Sequence, residues 1–329
     1  MLWRISRFIW WALPAWTPMI AHFAGICSGN EVCARRSSDA HARLGTIGPG
    51  PLRARAGMTT LPIPVMDAAA QRDLATAHAL LENPGVAAQL ANALGAPIES
   101  LITKRLPRMV TRSIDGVTRR ALQVAMKSAL LSLRGKTEPL QPASTTRHTM
   151  AVAVAGGAGG FFGLPGLMVE LPLTTTVMLR SIADIARAEG ESLQDPETAL
   201  ACLEVLAHGG RSVVDDGAES GYFAVRAAMA QQLSAAARHV AAHGFASKGA
   251  PALVSLVARV AAKFSVNVGE KLAVQAVPLV GAVSGATLNT VFMRHFQAMA
   301  RGHFIVRRLE RQFGEEAVRR AYEALPAAR

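Results

Sequence analysis

From Ala151 to Val169 nineteen consecutive residues carry no charge, six glycines (156, 157, 159, 160, 163 and 166) fall within them, and Glu170 then interrupts a run that continues apolar. An uncharged, glycine-rich run of this length suits a membrane span, a phosphate loop or the core of a helical domain. One helix of about 20 apolar residues crosses a bilayer, but the glycines weaken the hydrophobicity and Leu-Pro-Gly at 164–166 breaks the rod. A phosphate loop needs a preceding strand and a Gly-Lys-Ser/Thr ending, and "GGAGGFFGLPG" has neither. The reading that remains is a helical hairpin turning near Pro165 and Gly166. Its G-x-x-x-G spacings, 156–160 and 159–163, let two backbones approach closely.

The same device recurs downstream. Twenty-two uncharged residues run from Leu272 to Met293, Pro278 and Gly281 interrupt them, and Gly281 to Gly285 repeats the small-residue spacing. Shifted by 114 positions, Thr176, Val177, Arg180, Ala186 and Arg187 fall on Thr290, Val291, Arg294, Ala300 and Arg301. The chain thus reads as two pseudo-equivalent hairpins, near 151–179 and 272–293, each followed by an Arg-flanked amphipathic helix. Composition agrees with helices throughout. Hydrophobic residues make up 50% but aromatics only 5%, so the apolar content is Ala, Leu and Val. Ala and Leu lose little entropy in a helix, whereas strands favour aromatic and β-branched side chains. The expected fold class is all-α, with no sheet.

Residues 1–57 differ from the rest. They hold all four tryptophans (Trp3, Trp10, Trp11, Trp16), Cys27 and Cys33, and seven arginines without a lysine. An apolar stretch from Phe8 to Asn30 behind Arg4 and Arg7 fits a signal peptide or anchor, but Pro14 and Pro18 interrupt it and an Arg/Gly/Pro-rich run follows. The alternative is a start codon placed too early, with Met58 opening the protein; residues 1–57 are therefore set aside from the fold as a leader. Residues 58–135 form an N-terminal helical unit, 136–147 ("KTEPLQPASTTR") a Pro/Ser/Thr-rich linker, and 148–329 the main helical domain. Beyond the leader only Cys202 remains, which supports neither a disulfide framework nor a cysteine-based metal site.

Charge points toward anionic surfaces. The net charge is +12, and nine basic residues against Asp115 alone lie between Lys104 and Lys136, among them Arg105, Arg108, Arg112, Arg119 and Arg120. Ile114, Val117, Ala121, Ala125 and Leu133 fall near one face of the same helix. A basic amphipathic helix meets lipid headgroups or nucleic-acid phosphate, or is merely a solvated outer face. No aromatic interleaves the charges to stack on bases, so nucleic acid is not expected and an anionic membrane surface is the expected partner.

At this point the residues resemble the EcsC family, named after a protein encoded beside a bacterial ABC transporter. The similarity lies in "GLPGLMVELPLTTTVMLRSIADIARAEGESLQDPETALACLEVLAHGG" (163–210), "DDGAESGYFAVR" (215–226) and "KLAVQAVPLVGAVSGATLNTVFMRHFQAMARGHFIVRRLE" (271–310). The resemblance implies a helical, membrane-associated bacterial protein tied to transport or secretion, and some relatives carry a peptidase label.

The residues lend that label little chemistry. No H-E-x-x-H occurs; His239 and His243 have i,i+4 spacing, and Asp215, Asp216 and Glu219 offer carboxylates, but an Ala-rich helix with exposed polar positions explains them as well. Ser220 has no obvious His partner, and "DDGAESG" suits a turn and cap ahead of a helix. No cofactor or metal is expected. Glu170 must be paired, protonated or a proton- or ion-sensitive switch, and Asn289 is expected to hydrogen-bond between helices. The sequence thus points to a non-enzymatic accessory or scaffold protein of a bacterial envelope, transport or secretion system. It would lie at the cytoplasmic membrane, peripheral or partly inserted, near a transporter or envelope complex. Leu167 and Val291 are placed at the apolar contacts, and Arg180, Arg187, Arg294, Arg301, Arg307, Arg308 and Arg311 against headgroups. A hydrolase and a soluble interaction module are the alternatives.

Overall fold

The computed structural model describes residues 66–82, 89, 114–125, 143–160, 163–208, 221–244, 251–275 and 281–326; over 156–160, 163–169, 272–275 and 281–284 it gives the helical path but not the side chains. Among these residues every regular element is helical, so the chain is all-α as its composition predicts. They all belong to one compact unit, Leu61–Arg329.

Helix α1 (Ala68–Leu81) starts where Asp67 caps it, its carboxylate accepting the Ala70 N–H at 2.7 Å. Ala70, Leu74 and Ala77 recur at helical spacing and are buried. Residues 114–125 are also helical: Ile114, Thr118, Ala121, Leu122 and Ala125 face inward, while Arg119 and Arg120 are exposed. That is the amphipathic division read from the sequence.

A helix lies on either side of each expected break. Helices α2 (Thr145–Gly160) and α3 (Gly163–Ala188) join across residues 161–162 and pack on one another. The turn thus precedes Pro165 and Gly166, which lie in the first turn of α3, where a proline's missing N–H breaks no helical bond. Pro172, farther in, is absorbed without ending the helix, and the Thr175 and Thr176 hydroxyls donate back to the Leu171 and Pro172 carbonyls at 2.7 Å. Helix α4 (Pro196–Glu204), capped by Asp195, runs into a single 3-10 turn, Val205–Ala207; α5 spans Tyr222–His243. The second pair is α6 (Pro251–Gln275) and α7 (Gly281–Phe313); Pro278 lies outside the described residues. Gly281 opens α7, whereas Gly285 lies buried inside it and interrupts nothing. Gly314, at φ 87°, turns the chain into α8 (Glu315–Glu323).

The two pairs pack differently. Helix α7 lies chiefly against α2, α1 and α3, while α6 lies against α5 and the 3-10 turn and meets α7 only briefly. Gln297 of α7 fixes the first arrangement: its amide donates to the Thr145 carbonyl, the Thr149 hydroxyl and Ser181 at 3.0–3.2 Å, so one side chain ties α2 and α3 to α7. Few aromatics are needed because they are concentrated: Phe264, Phe292 and Phe296 are fully buried with ring centres 5.1–5.9 Å apart. A second apolar cluster gathers α1, α8 and the far half of α7 around Tyr222, Tyr322, Ile305 and Val306.

Candidate functional site

Two buried polar groupings stand in this apolar body. The first answers the question that Glu170 raised. Its carboxylate oxygen Oε1 accepts from Lys271 Nζ and from Asn289 Nδ2, both at 2.8 Å, and the Asn289 amide also donates to the Val152 carbonyl at 3.0 Å. The side chains of Lys271 and Glu170 are 0% and 3% exposed, and the ammonium stands 5.6 Å from the centre of the Phe292 ring. Helices α3, α6 and α7 therefore meet at one carboxylate oxygen, and Asn289 ties α2 to it through the Val152 carbonyl. Such a charge is tolerable only with its partners present, because each ion alone pays a large desolvation cost.

The second grouping lies at the junction of α4, α5 and α7. Glu204, at the end of α4, points its two oxygens toward His208 Nε2 and His303 Nε2, each 3.9 Å away. Neither Nε2 has a hydrogen-bond partner among the described residues. The Tyr222 hydroxyl lies 3.0 Å from His303 Nδ1 and so turns Nε2 toward the carboxylate. Burial pushes Glu204 up to about 7 and His208 down to about 3, and holds His303 well below its ordinary value. The same burial raises the Tyr222 phenol, and it pushes the Cys202 thiol up to about 12, leaving the latter inert as a nucleophile at neutral pH.

Charged pairs surround this junction. Arg226 grips both oxygens of Glu310, at 2.6 and 3.1 Å, and lies over the Tyr222 ring. Arg307 and Arg311 both bind Glu191, whose other oxygen takes the Thr198 hydroxyl. Burial works to raise Glu191, but the hydrogen bond and charge of Arg307 outweigh it and leave the carboxyl below its usual range. Arg308 reaches Asp73 at 2.7 Å and Glu189 at 3.4 Å.

The structure brings together some of the residues singled out in the sequence and separates others. Glu170 and Asn289 meet directly. Of the arginines assigned to headgroups, Arg187 pairs with Asp184, and Arg307, Arg308 and Arg311 are held in the internal pairs above. Arg180 is half-buried, and Arg119, Arg120, Arg294 and Arg301 are exposed. Val291 packs half-buried against the core; for Leu167 only the helical path is described. His239 and His243 stack on each other with ring centres 4.7 Å apart. Asp215, Asp216, Glu219, Ser220, Arg105, Arg108 and Arg112 lie outside the described residues. Among the described residues no group of three His, Cys, Asp or Glu side chains is placed to hold a metal ion. Sequence reasoning missed Lys271, Glu204, His208, Tyr222 and His303. For Glu204 the signal was there: a lone carboxylate in "ALACLEVLAH", the same anomaly that marked Glu170.

Fold and core together define an all-helical protein whose apolar body is pinned by buried ion pairs and a Glu–His–His junction. The chain belongs to the EcsC protein family, whose profile matches residues 70–309. No match to a curated protein or to a solved structure was found.

Proposed function

We propose that the protein is a non-catalytic accessory or scaffold protein that docks on the anionic cytoplasmic face of a bacterial membrane, beside a transport or secretion complex. The observation that carries this reading is the outer face of α6. Its segment Pro251–Lys271, of mean hydropathy 1.4, is the one helix among the described residues long and apolar enough to cross a membrane, although a core helix passes the same test. It is only partly buried, and Val254, Arg259, Lys263 and Val266 stand exposed on its outer side, the two valines about a third of a turn apart. Three cations in this 21-residue segment, Arg259, Lys263 and the buried Lys271, disfavour spanning and suit a helix lying in the interface with its exposed apolar side chains down, Arg259 itself donating to the Ala228 carbonyl at 2.8 Å. Met150 and Val154 of α2 add a second exposed apolar pair, one turn apart.

The test is flotation of the full chain with vesicles of anionic or zwitterionic lipid over a salt series. Binding to anionic vesicles should weaken but persist at 1 M salt, because apolar burial is not screened. Val254→Asp with Val266→Asp should release the protein at every salt concentration while circular dichroism stays helical. Complete elution of the unaltered protein by salt alone would reject insertion.

A further inference from the structure

We propose that Glu204, His208 and His303 form a proton-sensing centre, in which one proton on the Glu204 carboxyl keeps the junction of α4, α5 and α7 closed and its loss loosens that junction. This stands apart from the membrane reading and survives its failure.

Geometry carries the argument. A carboxylate inside protein needs donors, and Glu204, 4% exposed with its oxygens keeping only slight contact with solvent, is given no hydrogen bond by the described residues. The two imidazole nitrogens that face it stand at 3.9 Å, beyond hydrogen-bond reach, and are themselves unpartnered. The surrounding charges offer no rescue. Among the described residues those acting on Glu204 come from α5 and α7: Arg226, Arg307 and Glu310; the described parts of the other helices packed on α4, α3 and α6, add none. Arg226 is already held by both oxygens of Glu310, and Arg307 by Glu191. Tyr222 carries no charge to offer and is engaged with His303. Protonating either histidine would set a second buried cation beside Arg226, which opposes it. Among the described residues the junction thus favours the neutral carboxyl of Glu204. Ionisation leaves a buried anion whose nearest cations are committed elsewhere, and the relief open to it is separation of the helices so that water enters. With burial raising its carboxyl to about 7, the centre is half-occupied near neutral pH.

The centre is tested by hydrogen exchange on the full chain between pH 6 and 8, corrected for the intrinsic rate, in peptides covering 196–208, 222–230 and 300–310. The histidines also titrate on opening, so the wild type is read against Glu204→Gln at the same pH, where their contributions cancel. Protection of the wild type relative to this variant should fall roughly tenfold across the interval, the change expected of one carboxyl raised from 4.5 to about 7. Should Glu204→Gln not fold, His208→Gln with His303→Gln leaves Glu204 as the titrating group, and its protection should fall tenfold by itself. Parallel pH profiles for wild type and Glu204→Gln, or a flat profile in the double variant, would overturn the proposal. So would protection of the same peptides at pH 8 when zinc chloride is added to chelator-treated wild type but not to His303→Gln: the gap would then hold a metal ion, not a proton.

Discussion

Replacing Lys271 by methionine tests the buried lock where its energy is most concentrated. The Lys271 and Glu170 side chains are 0% and 3% exposed and 2.8 Å apart, so removing the ammonium strands a carboxylate whose remaining donor is Asn289 Nδ2. Breaking such a pair from one side costs about 3–5 kcal/mol. The methionine stem still packs against Phe292, which places the expected loss near the lower end, about 3 kcal/mol. Glu170→Gln should cost a similar amount, because the amide oxygen still accepts from Lys271 but the buried ammonium loses its counter-charge. Combining both substitutions removes both charges. The double variant should regain most of the loss and lie within about 1 kcal/mol of the wild type, since a buried pair and its neutral replacement are often equivalent. Urea unfolding followed by circular dichroism at helical wavelengths measures all four forms and yields the coupling. If Lys271→Met alone unfolds at the wild-type midpoint, or the double variant loses the sum of the singles, Glu170 and Lys271 are not bound to each other in the core.

Two further outcomes follow from the packing and the titrating groups. A Cβ at Gly302 would meet Leu81 Cγ at 2.7 Å and the Ala77 carbonyl at 3.1 Å, so Gly302→Ala should destabilise by about 1–3 kcal/mol, read from the urea midpoint, and Leu81→Ala in the same chain should relieve part of it. His208 and His303 bind protons more weakly folded than unfolded, so stability should fall as pH drops below about 6.5, by roughly 2 kcal/mol per histidine at pH 5, partly offset by Glu204; replacing both by glutamine should flatten this limb of the urea-midpoint profile.

What the sequence disclosed follows what physics writes locally. The inward spacing of Ile114, Ala121 and Ala125 depends on neighbours a turn away and was readable. Glu170 was readable as an anomaly, but its partner was not. Lys271 lies 101 residues away on another helix, and nothing local distinguishes it from a solvated lysine. The position of the first hairpin turn was misplaced for a related reason. Pro165 looks like a breaker, yet a proline in the first turn opens a helix as readily as it closes one, and only the path of α2 and α3 decides.

The arginines show where net charge misleads. A chain of +12 suggests a uniformly basic surface, yet several of its arginines are paired from within: Glu310 takes Arg226 of α5, and in the arginine-rich tail Glu191 takes Arg307 and Arg311 and Asp73 with Glu189 takes Arg308. These pairs join α1, α5 and the loop after α3 to the last turns of α7, so they hold the body together. What is left for an anionic surface is local: Arg119 and Arg120 on the early amphipathic helix, and Arg294 and Arg301, seven residues apart on one face of α7, all exposed and without an ion pair among the described residues. If the membrane reading is right, neutralising Arg119, Arg120, Arg294 and Arg301 to glutamine should lower anionic-vesicle affinity by about 1 kcal/mol for each residue at the surface and leave the urea midpoint unchanged. Neutralising Arg307 and Arg311 should do the reverse, lowering the midpoint while the folded fraction binds vesicles as before. Equal loss of binding from both sets would show that the tail, not these exposed positions, meets the lipid.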